Sequence, residues 1–239
     1  MAVFLDLAMD LNCDMGELED AAHEAALMQY ITSANIACGG HAGDEQTMER
    51  TARLALARGV RIGAHPSYPD RANFGRLEMD LASEEIERTV REQIERLERV
   101  VRDLGGAITH VKPHGALYNV AARDERVARA VGRAVLAWNP NTTLFALLGC
   151  PSIEVWRGMG LRIAAEAFAD RRYEADGSLR SRKFADALIT NPSEAAAQLE
   201  RFLREGKAQT LCVHGDTPGA VEILKACQNA IKANDLSNI

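Results

Sequence analysis

Six short stretches of this chain place imidazole, carboxylate, ammonium and amide side chains directly behind apolar runs. They are Asn12-Cys13-Asp14 with Gly16-Glu17, the segment from Cys38 to Asp44 around His41, and His65-Pro66-Ser67 with Asp70 beyond. The others are Lys112-Pro113-His114-Gly115, Glu166 with Asp170, Arg171 and Tyr173, and His214-Gly215-Asp216. These residue types move protons, stabilise oxyanions and bind cations. Asp14 and His114 are candidate general base and acid, because burial tunes either group toward neutral pH. Lys112, with its apolar run-in and the rigid Pro113, reads as an electrophile aimed at a developing oxyanion; a surface ammonium is the alternative. Asp14, His41 and His65 form a possible facial set for a divalent cation. They equally form a hydrogen-bonded polar cluster, and no HExxH ligand pair decides between the two. Gly39-Gly40 and Gly215 permit close backbone approach, and helix starts expected at Asp44 and Thr217 can present free N–H groups to an anion.

Absent motifs narrow the chemistry. There is no GxxxxGK[ST] loop to hold a nucleotide and no GxSxG elbow to support a serine hydrolase. Cys38 reads as a small buried residue rather than a nucleophile. The segment Phe168–Phe184 carries Arg171, Arg172, Arg180, Arg182 and Lys183, which suggests carboxylate or phosphate recognition, with a merely solvated loop as the alternative.

Such residues act together only if the elements bring them to one place. Strands are predicted at roughly Met9–Cys13, Ala34–Cys38, Val60–Ala64, Ile108–Lys112, Thr143–Leu148, Leu161–Ala165 and Thr210–Val213. Helices are predicted between them. Ser83–Leu104 has Ser83 as N-cap and Gly105-Gly106 as the stop, with an apolar stripe of Ile86, Val90, Ile94, Leu97 and Val101. Its other face offers Glu84–Arg88, Glu87–Arg91, Glu92–Arg96, Glu95–Arg99 and Glu98–Arg102 pairs, the pattern of a solvated outer surface. Further helices span Asp44–Arg58 and Asp124–Trp138, and others open at Asn191-Pro192 and Thr217-Pro218. Seven alternations without a linker predict a single α/β domain over residues 1–239, a seven-stranded parallel β/α barrel of TIM-like type. An open doubly wound sheet is the alternative, disfavoured by the lack of a GxGxxG fingerprint. In a barrel, all six polar stretches fall on one rim.

Composition is consistent with this. The 239 residues are 47% hydrophobic and 26% charged, a globular balance, and the net charge of −6 argues against nucleic-acid or anionic-membrane partners. No apolar run reaches the length of a membrane span, and the N-terminal MAVFLDLAMD, with Asp6 and Asp10, lacks a basic leader. Five widely spaced cysteines with no CxxC pair suggest a reducing, cytoplasmic setting.

The same stretches resemble a known family. Leu11–Glu17 (LNCDMGE), Ser33–Asp44 (SANIACGGHAGD), Gly63–Pro66 (GAHP), Phe74-Gly75-Arg76, Val111–Asn119 (VKPHGALYN), Glu166–Tyr173 and Cys212–Asp216 (CVHGD) are similar to the LamB/YcsF lactam-utilisation family, in the family's order. The resemblance implies a seven-stranded barrel akin to the glycoside hydrolase/deacetylase superfamily. It also implies ATP-dependent cleavage of 5-oxo-L-proline to L-glutamate within a 5-oxoprolinase complex, beside subunits B and C, with ATP as co-substrate and Mg²⁺ accompanying it. The family's rim residues carry over onto Asp14, His41, His65, Lys112, His114, Glu166, Asp170, Arg171, His214 and Asp216, and of these Asp14, Lys112, His114 and Arg171 read as catalytic. Substrate or nucleotide binding falls to Asn12, Asn35, His41, His65, Glu166, Asp170, His214 and Asp216. Gly40 departs from the pattern, standing where the family has Phe. Two competing readings are a stand-alone metal-dependent amide or deacetylase-type hydrolase and a non-catalytic lactam- or carbohydrate-binding component.

Overall fold

The structure is a computed structural model that describes residues 9–237; residues 1–8, most of the N-terminal MAVFLDLAMD stretch, lie outside the described residues. Seven strands form a closed, all-parallel barrel in chain order: β1 Asp10–Met15, β2 Ser33–Ala37, β3 Arg61–His65, β4 Ile108–Val111, β5 Thr143–Leu147, β6 Arg162–Phe168 and β7 Thr210–Cys212. The sheet closes where Asp10 pairs with Thr210 and Asn12 with Cys212. The expected barrel is therefore present, and the open sheet is not.

Helices wrap the outside: α1 Ala21–Leu27, α2 Glu45–Arg58, α3 Ser83–Asp103, α4 Gly115–Ala121, α5 Glu125–Trp138, α6 Ser152–Gly158, α7 Pro192–Glu205 and α8 Ala220–Ser237. The stripe Ile86, Val90, Ile94, Leu97 and Val101 is buried as expected. Three local expectations need correction. Ala82, not Ser83, occupies the cap of α3, and no side chain bonds its first turn. The outer face of α3 pairs in the opposite order, Arg88 with Glu92 and Arg91 with Glu95, while Glu87 reaches Arg133 on α5. Strand β6 also runs to Phe168, so Glu166 sits within the strand rather than after it. Short rotations of long side chains decide which ion pairs form, and at such exposure each contributes only a few tenths of a kcal/mol.

One layer of the barrel interior is polar. His110 stacks on Phe145 and bonds Asn35 Oδ1 at 2.9 Å. Its partner across the ladder is Gly63, where a Cβ would meet the imidazole head-on. Burial holds His110 down to about 3, so the ring stays neutral. All five cysteines are buried and free. Among the described residues no helix is long and apolar enough to cross a membrane.

Candidate active site

The strand ends converge on Lys112, at the end of β4. Its ammonium is 2% exposed and lies 2.9 Å from Asp14 Oδ1, 3.0 Å from Glu166 Oε1, 3.1 Å from Cys212 Sγ and 3.3 Å from Asn12 Oδ1. Burial alone would strip its proton, yet the charges of Asp14 and Glu166 hold its pKa well above the usual lysine value. Asp14 is the mirror case. Burial would raise it, but His65 and Lys112 keep its carboxyl well below the ordinary range. A cation between two carboxylates is thus fixed in the barrel mouth.

Asn12 and Asn35 lie one layer beneath. Asn12 donates to Glu166 Oε1 (3.0 Å) and Thr210 Oγ1 (2.7 Å), and Asn35 donates to Asn12 Oδ1 (2.8 Å) and Asp14 Oδ1 (2.9 Å). Both are fully buried, with these amide groups bonded inside the protein, so they orient the carboxylates from below. Glu166 Oε2 accepts the hydroxyl of Tyr118 on α4 at 2.7 Å.

Beside Lys112 stands an imidazole cluster. His65 Nδ1 donates to the Lys112 carbonyl at 2.6 Å, and His114 Nε2 donates to the Phe74 carbonyl at 2.9 Å. The inner nitrogens, His65 Nε2 and His114 Nδ1, face each other at 3.0 Å. His41 stacks on His114 with centroids 3.6 Å apart and reaches Glu17 Oε1 at 2.8 Å. Burial and the neighbouring His114 bring His41 down to about 4, whereas Asp14 raises His65 against its burial. Glu17 is held in place because Glu24 of α1 accepts the N–H groups of Gly16 and Glu17 at 2.6 and 3.2 Å. Ligand atoms of Glu17, His41, His65 and His114 all lie within 4.8 Å of one another, and a second group comprises Asp14, Cys212 and His214. Of the expected facial set, His41 and His65 fall in the first group and Asp14 in the second; Asp14 Oδ2 is 3.5 Å from His65 Nε2.

The far side of the mouth is built by β6 and β7. Asp170 is buried and accepts Thr217 Oγ1 (2.5 Å), His214 N (3.0 Å) and His214 Nδ1 (3.0 Å). Asp216 is gripped by Arg76 at 2.6 Å and Arg182 at 2.8 Å. Arg171 is buried, with Nη2 on the Arg180 carbonyl and Nε lacking a partner; burial and the charge of Arg182 bring it down to about 10.

The basic loop therefore divides. Arg172 pairs with Glu194, and Arg180 pairs with Glu174 and Asp186, so those charges fasten the loop to itself and to α7. Arg171 and Arg182 face the site. The two expected helix starts differ in detail from the expectation. Asp44 takes the Thr47 N–H itself at 2.8 Å, and the last helix begins at Ala220, leaving Thr217 to serve Asp170. At Gly40 a Cβ would collide with Gln93 and Ser67, which fill the space. Residue type and spacing do not single out Tyr118, Arg76 or Cys212 as site residues, and they place Glu17 in a polar stretch without giving it a role. Each lies within one of the family-like stretches, and that adjacency is the signal that could have found them.

The closed parallel barrel gathers a buried cation, carboxylates and imidazoles at the C-terminal rim, where barrel enzymes carry their active sites. Comparison with known proteins makes the family specific. The LamB/YcsF family model matches residues 9–238, and the chain belongs to that family. A relative from Chloroflexus aggregans, named as the A subunit of 5-oxoprolinase, is 46% identical over 95% of this chain and 96% of its own. A Bordetella parapertussis protein of the same name is 43% identical over 96% and 97%. The crystal structure of a lactam utilization protein from Thermus thermophilus superposes with a TM-score of 0.88 at 39% identity, covering 95% of this chain and 97% of that one.

Proposed function

We propose that this chain is the lactam-opening component of an ATP-dependent 5-oxoprolinase, converting 5-oxo-L-proline to L-glutamate in a complex with subunits B and C. Family membership and the relatives' names support the substrate and the assembly. The observation that carries the chemistry is Lys112, held charged between Asp14 and Glu166 at the barrel mouth.

A five-membered lactam is a resonance-stabilised amide, so its carbonyl needs activation. Transfer of the γ-phosphoryl group of ATP to the lactam oxygen makes the ring carbon electrophilic and provides a leaving group. Water adds at that carbon, the C–N bond of the tetrahedral adduct breaks with a proton delivered to nitrogen, and a second water hydrolyses the resulting γ-glutamyl phosphate to L-glutamate and phosphate. ATP enters as co-substrate, with Mg²⁺ neutralising its phosphates.

Lys112 and Arg171 stabilise negative charge on lactam oxygen or phosphate. Of the Lys112 contacts, those to Asn12 and Cys212 are the longer, and they are the ones a substrate oxygen replaces. Asp14, held ionised, orients Lys112 and His65. His114, facing His65, moves the proton between water and leaving nitrogen. Arg182 and Arg76, turned toward Asp216, meet the substrate carboxylate or the phosphate.

The test is release of L-glutamate and ADP from 5-oxoproline plus ATP. Equimolar release with subunits B and C present, and none without ATP, is the expected result. ATP-independent turnover by the chain alone, abolished by a chelator, favours the metal-dependent hydrolase; the group of Glu17, His41, His65 and His114 speaks for that second reading. Altered affinity without altered turnover of bound substrate, on changing rim residues, favours a purely binding role.

A further inference from the structure

We propose that Glu17, His65 and His114 bind one first-row divalent cation of the zinc class, with His41, stacked parallel to His114, holding Glu17 in position. Hydrogen counting comes first. The Lys112 and Phe74 carbonyls can only accept, so His65 must carry its proton on Nδ1 and His114 on Nε2. That leaves two lone pairs, His65 Nε2 and His114 Nδ1, aimed at one another across 3.0 Å. A positive species has to lie between them, and the Glu17 carboxylate stands 3.3 Å from His114 Nδ1 and 3.6 Å from His65 Nε2. Either a shared proton or a metal ion satisfies this arrangement.

The surroundings favour the metal. Imidazoles whose outer N–H groups are tied to carbonyls are oriented as metal ligands are, with tautomer and ring plane fixed. The backbone is built to provide this support. Phe74, not a glycine, adopts a left-handed conformation (φ 56°) that brings its carbonyl to His114. Gly75 follows it, and a Cβ there would sit 2.9 Å from His41 Cβ and 3.0 Å from His114 Cδ2, so the loop presses directly on both rings.

Two imidazoles and one carboxylate suit a borderline cation and leave a fourth position open; Mg²⁺ and Ca²⁺ prefer all-oxygen sets. Bonds of about 2.0–2.1 Å to a four-coordinate ion put ligand atoms about 3.4 Å apart. The three separations within the set, 3.0, 3.3 and 3.6 Å, bracket that value. His41 donates from Nε2 to Glu17 Oε1 at 2.8 Å, which fixes its tautomer and holds the carboxylate in place, and its Nδ1 is buried without a partner.

Ion binding does not rest on the lactam reading; with an ion on Nδ1, His114 is a ligand, and the proton transfer assigned to it above belongs to the ion-free chain. The test therefore uses the metal-stripped full-length chain alone, titrated calorimetrically with Zn²⁺ and followed by visible absorption with Co²⁺. One equivalent should bind and give ligand-field bands, with millimolar Mg²⁺ failing to displace it. His114→Asn and Glu17→Gln should each weaken binding by more than the roughly 10–100-fold that follows loss of an outer-shell partner. Cys212→Ala should leave the affinity unchanged. The proposal is overturned if the wild-type chain binds no ion, or if a natively folded Glu17→Gln protein binds as tightly as wild type. It is equally overturned if Cys212→Ala abolishes binding, which would move the ion to the Asp14 group. A chain that binds Zn²⁺ but supports no 5-oxoproline cleavage in the complete complex would retain this site and refute the lactam reading.

Discussion

Lys112 shows how a buried charge defines a site and constrains its own replacement. Its ammonium neutralises two carboxylates, Asp14 and Glu166, that are 6% and 0% exposed. Lys112→Met leaves Glu166 without a cation and Asp14 with His65 alone, a change that costs about 3–5 kcal/mol when one partner of a buried pair is removed. Adding Glu166→Gln removes the stranded charge, so the double variant should be more stable than Lys112→Met alone. Urea midpoints of the two single variants and the double variant measure this coupling; purely additive losses would show that the three groups do not act as a unit. A second residue-scale prediction concerns Gly63. An added methyl must displace the His110 imidazole or the strand, so Gly63→Ala should destabilise by about 1–3 kcal/mol, read from the same denaturation curves.

At the scale of elements, the end of β6 is tied to the segment after β7 through Asp170. Burial raises a carboxyl, but the His214 charge and the bonds from His214 and Thr217 prevail, and Asp170 lies below its ordinary pKa. The folded state thus binds fewer protons than the unfolded one. Its contribution is complete above the unfolded value near ~3.9 and is lost as pH falls through the folded one. Asp170→Asn should flatten the acid limb of the stability–pH curve relative to wild type; identical limbs would contradict the assignment. Strand–helix alternation made the barrel legible in sequence, because every strand end but that of β5, at Leu148-Gly149-Cys150, marks an abrupt change from apolar to polar residues. The seven-residue helices α1, α4 and α6 were not legible, since two turns carry too little apolar periodicity to register. The imidazole cluster was only partly legible. His41 and His65 stood out by type, but Glu17 joins them because Glu24 holds its loop, a contact between side chain and backbone that no spacing encodes. The helix start at Asp44 was legible, and its N-cap satisfies one of the N–H groups that would otherwise greet an anion.

At the scale of the whole molecule, Asp216 joins three rim loops by pairing with Arg76 and Arg182. In a chain of net charge −6, these guanidiniums are the cationic side of the mouth. Replacing both with Ala should raise KM for 5-oxoproline about 10–100-fold, the loss of one or two charge-assisted bonds, with kcat little changed. A fall in kcat at constant KM would instead place them on the reacting atoms. The most direct test of the central claim is steady-state L-glutamate formation by the complete three-subunit complex carrying either wild-type chain or Lys112→Met. Removal of the charge at the barrel mouth should slow turnover by roughly 10²–10³ with the complex still assembled. Turnover close to wild type would show that the buried cation between Asp14 and Glu166 serves the fold and not the reaction.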